Sequence, residues 1–278
     1  MLAAVGAAAG AELLAIAARD PGRARRLAER HGVPRVHPDY AALLADPDVE
    51  AVYVPLPNSL HLPWTLRALA AGKHVLCEKP LALNATEARE MAEAARSAGR
   101  LLMEAVMYRF HPRMRALAAA LAGAEIRQVH AGFGFTARAP GNYRLRPDLG
   151  GGALLDVGCY VADLTRWLLG EPERVEAVVR RGVVDMSCSA LLGFAGGAQA
   201  SLFASFESSP YQELVVVCAD RVERMEAPFT AWRDPHDPYQ LMVEAFSAAV
   251  RDGAPAPLPI ESSIANMALL DRIRDAAG

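Results

Sequence analysis

The sequence predicts an α/β fold: a parallel sheet with crossover helices, followed by an α+β region with a large, mostly antiparallel open sheet. Two observations carry this. Up to about residue 106, short apolar runs alternate with amphipathic stretches, which is how strands and crossover helices of a parallel sheet read. From about residue 107 the texture becomes one of alternating apolar and polar residues, suited to strands buried on one face.

In the first region the expected strands are Leu13 to Ala18, Ala51 to Leu56, His74 to Glu78 and Leu101 to Ala105. Between them, Arg23 to His31, Leu60 to Ala71 and Ala85 to Ala98 place apolar residues three and four apart with charges opposite, as helices packed on a sheet do. Gly32, Gly72 and Gly99 stand just past the ends of these helices, where a left-handed cap suits glycine.

In the second region Glu125 to Phe135, Val175 to Arg180, Ser187 to Phe194, Ala198 to Phe206 and Glu213 to Cys218 read as strands, with Gly196-Gly197 as a hairpin turn. One long helix, Ala153 to Leu169, follows Gly150-Gly151-Gly152. Helices over Tyr239 to Val250 and Ser263 to Ala276 close the chain and should pack back toward the first region. Two domains are expected, 1–106 and 107–278, with a cleft between them at the carboxyl ends of the parallel strands.

The 278 residues are 53% hydrophobic and 22% charged, enough for real cores. A net charge of -3 with mixed acids and bases offers no basic stripe for nucleic acid and no polybasic membrane patch, so the expected partner is a small molecule. Cys77, Cys159, Cys188 and Cys218 form no CxxC pair, which fits a reducing cytoplasm better than a disulfide framework. His111, His130 and His236 have no spacing that suggests a metal. The alanine-rich start lacks a basic flank and is interrupted by Glu12, unlike an export signal, and no apolar run is long enough for a membrane helix.

Strand His74 to Glu78 delivers Glu78-Lys79-Pro80 to the cleft. Partial burial there disfavours the ammonium and should bring the Lys79 pKa down toward the range useful for proton transfer. A lone lysine in a loop reads equally as surface charge. Asp156 and Tyr160 are four apart on the helix after the triple glycine, so both should lie on one face near its N-terminus. An N-terminal acid and a half-buried tyrosine explain that pair too, unless Lys79 converges on it.

Five segments in order carry a resemblance: Ala17-Ala18-Arg19-Asp20, Tyr53 through His61, Ala71 through Pro80, Tyr108-Arg109-Phe110-His111-Pro112 and Gly150 through Tyr160. The chain resembles the glucose-fructose oxidoreductase, inositol dehydrogenase and rhizopine catabolism family (Gfo/Idh/MocA). Within it, the pattern is nearest the branch of dimeric dihydrodiol dehydrogenase and NADP-dependent xylose dehydrogenase. The resemblance implies a Rossmann-type first domain and a catalytic group of Lys79, Asp156 and Tyr160, with Lys79-Pro80 cis. It also implies hydride transfer between a nicotinamide cofactor and a hydroxyl of a sugar, polyol or trans-dihydrodiol. The Lys79 charge should lower the Tyr160 phenol pKa. Pro55, Leu56, Pro57, Asn58, His61, Glu78, Lys79 and Arg109 are the implied cofactor residues, and Asn142, Tyr143 and Arg144 the candidate substrate residues beside the catalytic group.

After Leu13 to Ala18, where NAD-specific folds place an acid for the ribose, stand Ala18 and Arg19, so NADP is expected, with NAD as the alternative. Asp20 reads either as that acid displaced or as a helix cap. Trp64 and Trp167 are expected in the core.

The sequence departs from the family at its start. A strand, a glycine-rich turn and most of a helix are missing, and Met1 to Gly6 matches that helix's tail. The first sheet is therefore expected to lack its first strand and leave unpaired edges, and a start placed downstream of the natural one is the expected explanation. The competing function is a catalytically inactive relative that binds a sugar-like ligand or a partner without cofactor. A homodimer or homotetramer through the second sheet is compatible with either.

Overall fold

The apolar runs of the first region pair as parallel strands, but in two separate pieces. In the computed structural model, which describes residues 1–137, 141–233 and 235–278, β1 (Ala15–Ile16) pairs with β2 (Arg35–Val36). A second ladder runs in the order β3 (Ala51–Val54), β4 (His74–Cys77), β5 (Leu102–Glu104). Among the described residues no ladder joins β1 to β3, in line with the expected lack of a strand between them. β1 is shorter than the apolar run Leu13 to Ala18, as fits a strand paired on one side only.

Helices α1 (Leu2–Ala7), α2 (Pro21–His31), α3 (Tyr40–Ala45), α4 (His61–Ala70) and α5 (Ala85–Ala98) alternate with these strands. Asp20 is a cap: its Oδ1 accepts from Gly22 N at 2.8 Å and Arg23 N at 3.2 Å, and Pro21 sits at the first helical position. Asn84 caps α5 in the same way through Glu87 N at 2.9 Å. β2 and α3 were not anticipated, being too short to show a period.

Beyond residue 106 come α6 (Pro112–Leu121), β6 (Ile126–Thr136), α7 (Cys159–Leu169), β7 (Arg174–Arg181), β8 (Asp185–Gly193), β9 (Gln199–Ser205), β10 (Glu207–Cys218) and β11 (Val222–Glu226). Their sheet order is β11-β10-β6-β9-β8-β7, and only the β6–β9 pair is parallel. The turn Ala195–Gly197 joins β8 to β9, with Gly196 and Gly197 at φ 78° and 88°, as expected of a glycine hairpin. Alternate residues such as Val129 and Ala131, Leu202 and Ala204, and Leu214 and Val216 are buried and build one covered face.

Helices α8 (Pro238–Asp252) and α9 (Ile260–Ala276) return to the first region: α9 packs on α5 and α7, α8 on α1 and the turn Met107–Phe110. Asp271 accepts from Ala85 N at 2.8 Å, fixing α9 at the start of α5. Buried side chains from both regions form one continuous core. Among the described residues no helix is long and apolar enough to cross a membrane.

Candidate active site

β4 ends at the fully buried Cys77 and releases Glu78, Lys79 and Pro80 at its carboxyl end, with the Lys79-Pro80 bond cis. Glu78 is held by both oxygens: Oε1 accepts from the Tyr53 hydroxyl, and Oε2 from the Lys79 main-chain N at 3.1 Å. The lysine thus leaves a turn whose backbone is tied to its own neighbour.

The triple glycine is a place of close approach. A methyl group on Gly150 would overlap Leu83 and Asn58, on Gly151 the Arg144 carbonyl, and on Gly152 the Asp185 carboxylate. Gly152 also sits at φ 124°, where side chains are strained. Asp185, at the start of β8, accepts from Leu154 N at 2.6 Å and so caps the segment carrying Asp156.

That segment differs from the expected α-helix. Leu154–Gly158 is a π-helical turn, and α-helix begins only at Cys159, so Asp156 and Tyr160 are not simple neighbours on an α-helical face. Lys79 closes the gap between them. Its Nζ donates to Asp156 Oδ1 at 3.0 Å and to the Asp156 main-chain oxygen at 2.8 Å, and lies 4.8 Å from the Tyr160 ring centroid. Arg144 Nε donates to the other carboxylate oxygen, Oδ2, at 2.7 Å.

The charges follow. Burial opposes the Lys79 ammonium, but Tyr160, Asp156, Cys159 and Glu78 outweigh it and hold the pKa well above the ordinary lysine value. The expected lowering is therefore corrected: the amine is a fixed cation. Burial likewise opposes the Asp156 carboxylate, yet Lys79 and Arg144 keep its pKa below the usual range. For Tyr160 burial wins, raising the phenol pKa despite the opposing pull of Lys79, so the expected net lowering is also corrected.

Lys79, Asp156 and Tyr160 open on one cavity of about 380 Å³, lined also by Tyr53, Pro55, Leu56, Asn58, Glu78, Tyr143 and Arg144. Phe133, Phe135, Val157 and Tyr239 complete the wall. Alternation along β6 puts Phe133 and Phe135 on one side of their strand, a signal present in the sequence; Tyr53 opened one of the family-like segments without a site role, and nothing marked Tyr239.

Other expected residues go elsewhere. Arg109 does not reach the cavity. It forks onto Asp163 of α7, Nε to Oδ2 at 2.8 Å and Nη2 to Oδ1 at 2.7 Å, and stacks over Trp167 at 4.5 Å. His61 is fully buried between two carbonyls, Pro80 O and Leu56 O, each 2.8 Å from a ring nitrogen. It buttresses the cavity wall without lining it. Pro57, which precedes the 3₁₀ turn Asn58–Leu60, itself lies outside the lining. Asn142 is spent on its own turn, accepting from Arg144 N at 3.1 Å, whereas Asn58 both lines the cavity and donates to Gly150 O at 2.8 Å. Arg19 stands exposed between β1 and α2. Trp64 and Trp167 pack against the core as partly buried residues.

Comparison with known proteins gives this arrangement a family. Residues 2–106 match the oxidoreductase family with an NAD-binding Rossmann fold, and residues 111–222 the GFO/IDH/MocA C-terminal domain. The chain is 38% identical over 294 residues to D-xylose 1-dehydrogenase (NADP(+)) 2 of Haloferax volcanii, spanning 96% of this chain and 90% of that one. It is 40% identical over 206 residues to trans-1,2-dihydrobenzene-1,2-diol dehydrogenase of Sus scrofa, 71% of this chain and 61% of that relative. A 3-ketoreductase from Actinomadura kijaniata, in complex with NADP and TDP-benzene, aligns with a TM-score of 0.88 at 34% identity, covering 99% of this chain and 92% of that one. With both regions matched and a relative shared over nearly its whole length, the chain belongs to the Gfo/Idh/MocA family of oxidoreductases.

Proposed function

We propose that this chain transfers hydride between NADP and a hydroxyl or carbonyl carbon of a sugar, polyol or trans-dihydrodiol, with residues 1–106 serving the cofactor and 107–278 the substrate. The observation that carries this is the meeting of Lys79, Asp156 and Tyr160 on one cavity beyond the carboxyl ends of β3 and β4. The cofactor supplies the hydride acceptor or donor.

The residues present fit such a cofactor at its nicotinamide end: Pro55, Leu56 and Asn58 face the cavity next to Glu78 and Lys79. To Arg19, exposed just after β1, we assign a 2'-phosphate, and Asp20 is occupied as a cap, which favours NADP over NAD. Tyr160, neutral at neutral pH, donates its hydroxyl proton to the carbonyl oxygen as hydride reaches the carbon in reduction and is then reprotonated from solvent. Oxidation runs in reverse, the tyrosine first losing its proton to solvent and the phenolate then taking the substrate hydroxyl's proton as hydride leaves. The Lys79 cation stabilises the phenolate formed in between. Asp156 holds that cation, and Arg144 holds Asp156. With two acids, Glu78 and Asp156, against Lys79 and Arg144, the charged lining sums to zero and suits an uncharged polyhydroxy substrate.

A second reading, a protein that binds a sugar-like ligand without turnover, is favoured by the break between the two parallel ladders. Titration with NADPH and with NADH, followed by nicotinamide fluorescence, decides between them, and turnover is then assayed with D-xylose and a trans-dihydrodiol. Binding of neither cofactor ends the enzyme reading, and tighter binding of NADH ends the role given to Arg19. The four buried, unpaired cysteines suit a reducing compartment such as the cytoplasm. The six-stranded sheet, which exposes Val178, Leu191 and Val222, is the surface we assign to a homodimer or homotetramer.

A further inference from the structure

Behind the cavity lies a buried acid with no part in the chemistry just described. Glu104 ends β5, is 3% exposed, and stands opposite Cys77, the last residue of β4. The guanidinium whose charge acts on it, that of Arg109, is already forked onto Asp163. A carboxyl buried without a counter-ion costs stability, and an apolar residue of similar size would serve the core better. Its placement therefore needs a local reason.

Its hydrogen bond supplies one. Glu104 Oε1 accepts from the Leu81 main-chain N at 2.9 Å. Pro80 has no N–H, so the two main-chain donors flanking it belong to Lys79 and Leu81. Each is held by a glutamate: Lys79 N by Glu78 Oε2 at 3.1 Å, and Leu81 N by Glu104. The turn that follows β4 is thus clamped on both sides of Pro80, next to the residue that aims an amine at Asp156 and Tyr160.

We propose that Glu104 is a positioning residue for Lys79, acting through the Leu81 amide to fix the turn from which the amine reaches the cavity. This rests on the catalytic role proposed above for Lys79. The groups facing Glu104 are Asp163 and Cys159 of α7, Arg109 of the turn after β5, Ser263 of α9 and Cys77 of β4. None of them is bonded to Leu81 N, so the task falls to Glu104 alone among the described residues.

The sequence makes the test clean, because Lys73 and Lys79 are its only lysines. Lys73 is also buried, its Nζ donating to Asp46 O at 2.7 Å, and serves as an internal reference. Two variants separate position from charge. Glu104→Gln keeps an oxygen in place to accept from Leu81, whereas Glu104→Asp keeps the charge and withdraws the oxygen by about 1.5 Å.

Acetylation by acetic anhydride is read by mass spectrometry on the peptides holding each lysine, together with kcat and KM. In Glu104→Asp the ratio of Lys79 to Lys73 acetylation should rise about fivefold or more, and kcat should fall about tenfold with KM within about twofold. Glu104→Gln should leave the ratio and kcat within about twofold of the parent. A wild-type ratio and rate in Glu104→Asp overturn the proposal. So does a loss in Glu104→Gln equal to that in Glu104→Asp, or a parallel rise at Lys73, which would mean general loosening. Absence of turnover in the parent protein counts against hydride transfer, and the acetylation ratio still decides the role of Glu104.

Discussion

Lys79 and Asp156, 77 positions apart, are joined twice: the lysine Nζ meets both the aspartate Oδ1 at 3.0 Å and its main-chain oxygen at 2.8 Å. A side chain that grips both the carboxylate and the backbone of its partner fixes direction as well as charge. The π-helical turn at Leu154–Gly158 is where this double contact is made.

Replacing the lysine tests that contact. Lys79→Met should lower kcat by about a hundredfold or more, and Lys79→Arg should not restore it, since a planar guanidinium cannot reproduce a compact cation close to the phenol. Steady-state rates with NADPH measure both, and normal turnover in Lys79→Met would remove the lysine from the mechanism.

Tyr160→Phe removes one hydroxyl and leaves the ring against Phe133 and Phe229, at centroid separations of 5.6 and 5.4 Å. The fold and NADPH affinity should therefore persist while kcat falls by about two to four orders of magnitude. Fluorescence titration beside turnover checks this; a variant retaining a tenth of the parent rate would move the proton donor elsewhere.

Arg109 separates packing from cofactor binding. Its partner Asp163 is nearly buried, so Arg109→Met leaves an acid without its counter-ion and should cost about 3 to 5 kcal/mol in urea unfolding. Because Arg109 does not reach the cavity, the variant that remains folded should bind NADPH within about threefold of the parent.

Glu104 gives stability a pH slope of defined sign. Burial raises its pKa from 4.5 to about 7, with Ser263 pulling the other way, so the folded protein binds this proton more tightly than the unfolded chain. The stabilising contribution is complete below about pH 4.5 and is lost as pH rises through about 7. Between about pH 5 and pH 8 the parent should lose about 2 to 3 kcal/mol more than Glu104→Gln, which stays uncharged throughout. Parallel urea curves for the two would rule this out.

Gly152→Ala places a methyl group onto the Asp185 carboxylate at a backbone angle that disfavours side chains. A loss of about 2 kcal/mol or more is expected. Thermal unfolding checks it, and an unchanged midpoint would mean that the Leu154 cap shifts without cost.

The periodic elements were legible because each reports its own burial. The spacing in Ala85 to Ala98 and the alternation in Ser187 to Phe194 gave helix and strand nearly to their ends, and Gly196-Gly197 gave the hairpin. Elements as short as Arg35–Val36 carry too few residues for a period and were missed. At the site, the motifs around Lys79 and Tyr160 marked the residues to watch, and the triple glycine marked a close approach without saying to what.

Local sequence determined which segments are helix or strand, where they are capped, and that Lys79 stands at the end of a buried strand. Only the tertiary structure decided the electrostatics and the company each residue keeps. The sign of the Lys79 shift depends on Asp156 and Tyr160 lying within reach, Arg109 turns to Asp163 instead of the cavity, and His61 is spent between two carbonyls. Charge and hydrogen-bond partners are set by distances between residues far apart in the chain, and these become definite only when both regions close around one core.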